Sequence, residues 1–163
     1  CLLIGAGGAA KAAAYVLGSQ EAASVTILNR NESRARELAL EMNRCFGKDF
    51  MTSMALEDYK SLPDRRWMAV QTTSVGMHPH TGRAPVEDKA FYRGISCAVD
   101  IVYTPARTRF MAMVEEAGGR AIGGLDMLIY QGIQAFELWN PGCLVLPDVV
   151  EKARRMMRKE LEK

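Results

Sequence analysis

Two rhythms of apolar and polar positions alternate along the chain. Short, nearly continuous apolar runs recur, among them Leu2, Leu3, Ile4, then Val25, Thr26, Ile27, Leu28, then Trp67, Met68, Ala69, Val70. Between them apolar residues return at helical spacing, as in Ala35, Leu38, Ala39 and Met42. The first rhythm predicts strands over residues 1–4, 24–28, 50–54, 67–72, 97–103 and 120–122. The second predicts helices over 9–17, 32–43, briefly over 56–61, then over 108–117, 126–138 and from 148 onward. Pro105 lacks a backbone donor and stops the fifth strand, while Gly118 and Gly119 close the helix before the sixth. Strands that alternate with helices imply parallel strands joined by crossover helices. The fold class expected is α/β, a doubly wound parallel sheet with helices on both faces.

Composition narrows the picture. At 163 residues, with 48% apolar and 25% charged side chains, the chain can bury one sizeable core. A net charge of +2, with basic and acidic residues interleaved, sets up no field that would select nucleic acid. The exception is the run 152–163, rich in both signs, which reads as a solvated helix face. No stretch approaches the ~18 apolar residues that a bilayer span requires, and no signal peptide precedes the first strand, so a cytoplasmic location without membrane partners is expected. Cys1, Cys45, Cys97 and Cys143 are too scattered for a metal site and are expected to be reduced and mostly packed as small hydrophobes. The chain opens inside a core strand, which leads us to expect further residues upstream.

Chemistry enters at Gly5, Ala6, Gly7, Gly8, Ala9 and Ala10, a G-x-G-x-x-A turn between a strand and a helix. The first glycine permits the turn, the second admits a pyrophosphate next to the backbone, and a small third residue lets helix and strand pack closely. Backbone N–H groups and the helix dipole then face the phosphates. A second strand ends at the distance a βαβ unit requires, which makes the turn a dinucleotide site of the Rossmann-like type and not merely a packing turn.

That second strand ends in "NRNESRA", residues 29–35. An NAD site usually carries Asp or Glu here, whose carboxylate holds the ribose hydroxyls and repels a 2′-phosphate. Asn29 can bond a hydroxyl without charge, and Arg30, with Arg34 one helical turn along, can pair with a phosphate or lie against adenine. NADP is therefore the cofactor expected. Arg36 has a weaker claim, and all of these arginines compete with a plain reading as solvated charges near Glu32 and Glu37.

The ordered motifs "LLIGAGGAAKA", "LNRNESRA", "TTSVGMHP", "DIVYTPARTRF" and "GGLDMLIYQGIQAFELW" span nearly all of residues 1–142, and together they resemble the shikimate dehydrogenase family. The resemblance implies an NADP-binding Rossmann-like domain over 1–142 and a C-terminal helical segment over 143–163 that packs on an absent N-terminal substrate domain. It implies that Gly5, Ala6, Gly7, Gly8 and Ala9 hold the pyrophosphate, that Asn29, Arg30 and Arg34 hold the 2′-phosphate, and that Thr73 and Ser74 line the groove. Ile101, Gly124 and Met127 would meet the nicotinamide end, and Tyr103 and Gln131 would reach the substrate, shikimate or 3-dehydroshikimate. A homodimer is compatible with the resemblance without being required by it.

Two departures bear on activity. The family's proton-transfer Lys and Asp lie in the N-terminal domain and just ahead of the glycine turn, so no catalytic residue is assigned in this chain, and the isolated chain is expected to bind cofactor with little turnover. His78, His80 and Lys11 are weak substitutes. Gln71 and Thr72 stand where the family commonly has Asn-Ala, which is expected to alter hydrogen bonding at a strand end and little else. Two alternatives remain open: a quinate/shikimate dehydrogenase that uses NAD, and a non-catalytic nucleotide-binding module. A last expectation is an exposed apolar stripe at Val149, Val150, Ala153, Met156 and Met157.

Overall fold

The computed structural model of the chain describes residues 1–161; Glu162 and Lys163, the end of the run 152–163, lie outside the described residues. Six parallel strands, β1 (Leu2–Ile4), β2 (Val25–Asn29), β3 (Met51–Ala55), β4 (Trp67–Gln71), β5 (Ile95–Asp100) and β6 (Arg120–Ile122), form one sheet in the order β3-β2-β1-β4-β5-β6. The chain winds outward from β1 in one direction and, after β3, returns to β4 and winds outward in the other. The switch point lies between β1 and β4, whose Ile4 and Gln71 are register partners.

Helices α1 (Gly8–Ser19) and α2 (Glu32–Phe46) cover one face. They bury Ala10, Ala14, Ala35, Leu38 and Met42 against Leu3, Val25 and Ile27. On the other face α3 (Lys89–Tyr92) and α4 (Arg109–Glu116) bury Phe91, Tyr92, Phe110 and Val114 against Leu2, Ile4, Trp67 and Ala98. Leu2 and Ile4 thus point to one layer and Leu3 to the other, as period-two geometry demands, and burial on both faces explains why these strands read as unbroken apolar runs. Asn31 caps α2 by accepting from Arg34 N, and Gly47, at φ 61°, ends it in the left-handed conformation.

Two helices complete the chain, α5 (Leu125–Trp139) and α6 (Pro147–Leu161). They pack on each other and leave much apolar surface bare: Leu138, Trp139, Leu144 and Leu146 are exposed. Of the predicted stripe on α6, Val149 and Met156 are exposed, whereas Val150, Ala153 and Met157 are half-buried. No helix among the described residues is long and apolar enough to cross a membrane.

Three expectations need correction. The fifth strand starts earlier, at Ile95, and stops at Asp100, so Tyr103 lies beyond its end. The cause is the Asp100 carboxylate, which accepts from Val102 N at 3.0 Å and bends the chain out of the sheet before Pro105 is reached. The turn α3 was not anticipated; Asp88 starts it by accepting from Ala90 N. Finally, all four cysteines are free, but Cys1 and Cys97 are half-buried and Cys45 and Cys143 exposed, so fewer pack as small hydrophobes than the three expected.

Candidate functional site

Helix α1 begins at the switch point with neither a capping side chain nor an acidic first turn at its N-terminus, where the N-cap is Gly7. The glycines before it divide into two kinds. At Gly5, φ is 115° and an added Cβ would fall 2.5 Å from Thr72 Oγ1, so the protein itself requires glycine there. Around a Cβ at Gly7 or Gly8 no protein atom lies within 4 Å, although both residues are exposed and Gly8 opens a helix at a propensity cost of about 1 kcal/mol against Ala. Space that none of the described residues fills, beside uncapped N–H groups, is a cradle able to receive a diphosphate.

One strand over, β2 ends at Asn29, half-buried, whose Nδ2 donates to Asn31 O at 2.8 Å. Arg30 and Arg34 follow, both exposed, and among the described residues neither guanidinium has an ion-pair partner or hydrogen-bond acceptor. Arg36 behaves differently, pairing with Glu32 at 2.9 Å, and Lys11 pairs with Glu41. Arg30 overhangs a cleft of about 440 Å³ shared with Leu56, Glu57, Tyr59, Glu87 and Asp88. Two of its carboxylates are engaged: Glu87 takes Arg109 at 2.8 Å, and Asp88 takes the Tyr59 hydroxyl at 2.7 Å. The Tyr59 bond, with that of Ala90 N, holds Asp88 below the usual carboxylate range. Glu57 shares the cleft, so its field is not purely cationic.

On the other side of the switch point, the loop after β4 carries Thr73, half-buried, and Ser74, exposed. Its shape is set by a group whose importance the sequence did not reveal. Gln71, with no exposed surface, donates from Nε2 to Val75 O at 3.1 Å and to Asp100 Oδ1 at 3.1 Å, and its Oε1 accepts from Thr73 N. Asp100 Oδ2 accepts from Thr108 Oγ1 at 2.6 Å, and that same hydroxyl caps α4 by accepting from Met111 N at 3.2 Å. Burial pushes the Asp100 carboxyl above its usual range, against the opposing pull of the Thr108 and Val102 bonds. An Asp that ends an apolar strand, followed eight residues later by a Thr at a helix start, is the signal that could have flagged the network. Nothing in either residue alone shows that they meet.

Beyond β5, Ile101 N donates to Gln71 O at 3.0 Å, and the backbone of Gly124 presses on that of Ile101. A Cβ at Gly124 would overlap the Ile101 carbonyl, so this glycine has an internal reason to be there, and its N–H donates to Val102 O at 3.1 Å. Tyr103, 38% exposed, opens onto a cleft of about 470 Å³ with Ile122, Gly123, Leu125, Asp126 and Arg158. Met127 and Gln131 are exposed and four residues apart, hence on one face of α5. The side chains of Tyr103 and Gln131 have no hydrogen-bond partner among the described residues. His78 and His80 sit exposed in the loop after β4. Gly5, Ala6, Gly7, Gly8, Ala9, Asn29, Arg30, Arg34, Thr73, Ser74, Ile101, Tyr103 and Gly124 all follow or adjoin the carboxyl ends of the strands, where ligands of open parallel sheets bind.

Known proteins resemble the chain in sequence and in fold. The profile of the Shikimate / quinate 5-dehydrogenase family matches residues 1–62, and that of the Shikimate 5′-dehydrogenase C-terminal domain matches residues 124–153. A shikimate dehydrogenase (NADP(+)) of Carboxydothermus hydrogenoformans is 39% identical over 145 residues, covering 85% of this chain and 49% of that protein. Its counterpart in Methanothermobacter thermautotrophicus is 36% identical over 155 residues, covering 93% of this chain and 54% of that protein. In the solved structure of a chorismate mutase/shikimate 5-dehydrogenase fusion protein from Clostridium acetobutylicum, 55% of the chain superposes on all of this one, with a TM-score of 0.82 and 26% identity. Quinate dehydrogenase from Corynebacterium glutamicum in complex with NAD gives a TM-score of 0.80 at 25% identity, over 97% of this chain and 54% of that one. The chain spans about half the length of the curated relatives it matches. It therefore belongs to the shikimate dehydrogenase family, and it corresponds to the NAD(P)-binding C-terminal half of the family's enzymes.

Proposed function

We propose that this chain is the cofactor-holding part of an NADP-dependent shikimate dehydrogenase, which interconverts shikimate and 3-dehydroshikimate. The observation that carries the choice of NADP is the pair of uncommitted guanidinium groups, Arg30 and Arg34, on an edge where the neighbouring Arg36 and Lys11 are already paired. A phosphate accepts charge-assisted hydrogen bonds from both without displacing any existing partner. In this reading the N–H groups from Gly7 to Ala9 receive the pyrophosphate, Asn29 meets the ribose, and Thr73 and Ser74 line the groove. Ile101, Gly124 and Met127 border the nicotinamide.

When bound, the cofactor supplies or accepts the hydride. Tyr103 and Gln131 offer a hydroxyl and an amide free to orient a polyhydroxylated substrate. No side chain of this chain is assigned the accompanying proton. That role falls to an N-terminal substrate domain, against which the segment 143–163, with bare Leu144, Leu146, Val149 and Met156, would dock. The chain alone should then bind cofactor with little or no turnover; shikimate-dependent NADPH formation by it would contradict this.

The deciding experiment is titration of wild type and Arg30→Ala with NADP and NAD. Loss of a charge-assisted contact should weaken NADP by about 1.5–3 kcal/mol and leave NAD nearly unchanged. Equal losses would remove the case for NADP. A second reading, an NAD-using quinate/shikimate dehydrogenase, draws support from the likeness to the NAD-bound quinate dehydrogenase and from Glu57 beside Arg30. It predicts that wild type prefers NAD.

A further inference from the structure

The Asp100 carboxylate is an anion with no solvent exposure and, among the described residues, no cation paired with it. Its partners are all neutral donors, Gln71 Nε2, Val102 N and Thr108 Oγ1, each from a different piece of the chain. Burying a charge in this way is costly, and an apolar side chain would fill the same volume without that cost. What an apolar side chain cannot do is fix direction. Through Gln71 the carboxylate reaches Thr73 N and Val75 O and so shapes the loop after β4. Through Val102 it sets the chain after β5, whose carbonyl O in turn accepts from Gly124 N at the start of α5. The two loops are also bonded to each other directly, His78 N to Thr104 O at 3.1 Å. None of these bonds reaches the edge of β2 where Arg30 and Arg34 stand.

We propose that Asp100 is a positioning residue, one that locks the loops after β4 and β5 and the start of α5 into a single floor beneath the nicotinamide half of the cofactor. The proposal rests on the cofactor reading above. It makes the two halves of the cofactor separable: the adenosine half is held by β2 and α1, and the nicotinamide half by residues whose backbone Asp100 holds in place. Thr73, Ile101 and Gly124 reach their places through these bonds rather than through packing alone.

The test compares two ligands on wild type, Asp100→Asn and Thr108→Val. NADP presents both halves, and adenosine 2′,5′-bisphosphate presents only the adenosine half. Asp100→Asn keeps the shape and loses the charge; it should weaken NADP about tenfold or more and adenosine 2′,5′-bisphosphate by less than about twofold. Thr108→Val removes one donor of the three and should move NADP in the same direction by a smaller factor, which preserves the test if Asp100→Asn folds poorly. Parallel losses on both ligands, or none on either, overturn the proposal, since a merely structural role would not distinguish them. Amide exchange in the cofactor-free protein provides a second readout. In Asp100→Asn the amides of Thr73, Val75, Val102 and Met111 should lose protection together, while those of β2 keep theirs; loops that respond separately also overturn it. If wild type binds none of these ligands, the cofactor reading fails and the nicotinamide role falls with it, while exchange still decides whether Asp100 couples the loops.

Discussion

The edge of β2 and the floor between β4 and β5 flank the same switch point and are built in opposite ways. On the β2 side the candidate groups are close in sequence and two of them are exposed and charged: half-buried Asn29 ends the strand, and Arg30 and Arg34 follow it up to the first turn of α2. Their local order comes from neighbours, through the Asn29–Asn31 bond and the Asn31 cap. On the β4–β5 side the polar groups are buried and distant in sequence, Gln71 lying 29 residues from Asp100. On the proposed reading, the site takes its selectivity from exposed charge at almost no cost to folding. Its geometry comes from buried polar groups whose removal endangers the fold.

The sharpest way to break that comparison is Asp100→Ala, which leaves Gln71, Thr108 and the Val102 N–H without their acceptor in a dry interior. Urea unfolding should show a loss of about 3–5 kcal/mol. A change below about 1 kcal/mol would mean that water or a rearranged loop satisfies the donors. Arg30→Ala should do the reverse, lowering NADP affinity by the 1.5–3 kcal/mol given above while shifting unfolding by no more than about 0.5 kcal/mol. Asn31→Ala tests whether the edge of β2 depends on its own cap; removing an N-cap should cost about 1 kcal/mol in thermal or urea unfolding.

The smallest effect is a pH slope. Burial raises the folded pKa of Asp100 above its usual value of 3.8, so the unfolded chain releases this proton first. The stability that Asp100 contributes is complete below 3.8 and declines as pH rises through the higher folded value. Compared with Asp100→Asn, wild type should therefore lose stability as pH increases across that window. A difference between the two that does not vary with pH would show that the carboxyl is no harder to ionise when folded.

Much of this was legible in the sequence for a physical reason. Strands buried on both faces must be apolar throughout, which marks the inner strands β1, β2 and β4 to within a residue or so; the edge strands β3 and β6, mostly half-buried or exposed, are marked by their place between helices, and the turn from Gly5 to Gly8 by its glycine spacing, in which Gly5 alone has a backbone that few other residues permit. The end of β5 was misplaced because the apolar run through Val102 and Tyr103 continues past the point where the Asp100 side chain captures the Val102 N–H. In the sequence Gln71 stands out only as a minor substitution, whereas in the fold its fully buried amide shapes the loop that carries Thr73 and Ser74. At Gly124 the family resemblance pointed to the cofactor, and the structure adds the close approach of the Ile101 backbone, which would demand glycine with no cofactor present.

Taken by itself, the amino-acid sequence determined the alternation of strands and helices, the glycine turn and the charge at the end of β2, because each depends on residues near one another along the chain and on preferences that act over a single turn or strand. Only the tertiary structure decided which arginines stay uncommitted and which carboxylate lies buried between the ends of β4 and β5, because hydrogen bonding and desolvation depend on what the fold brings within about 3 Å, and partners 29 residues apart leave no periodicity to read.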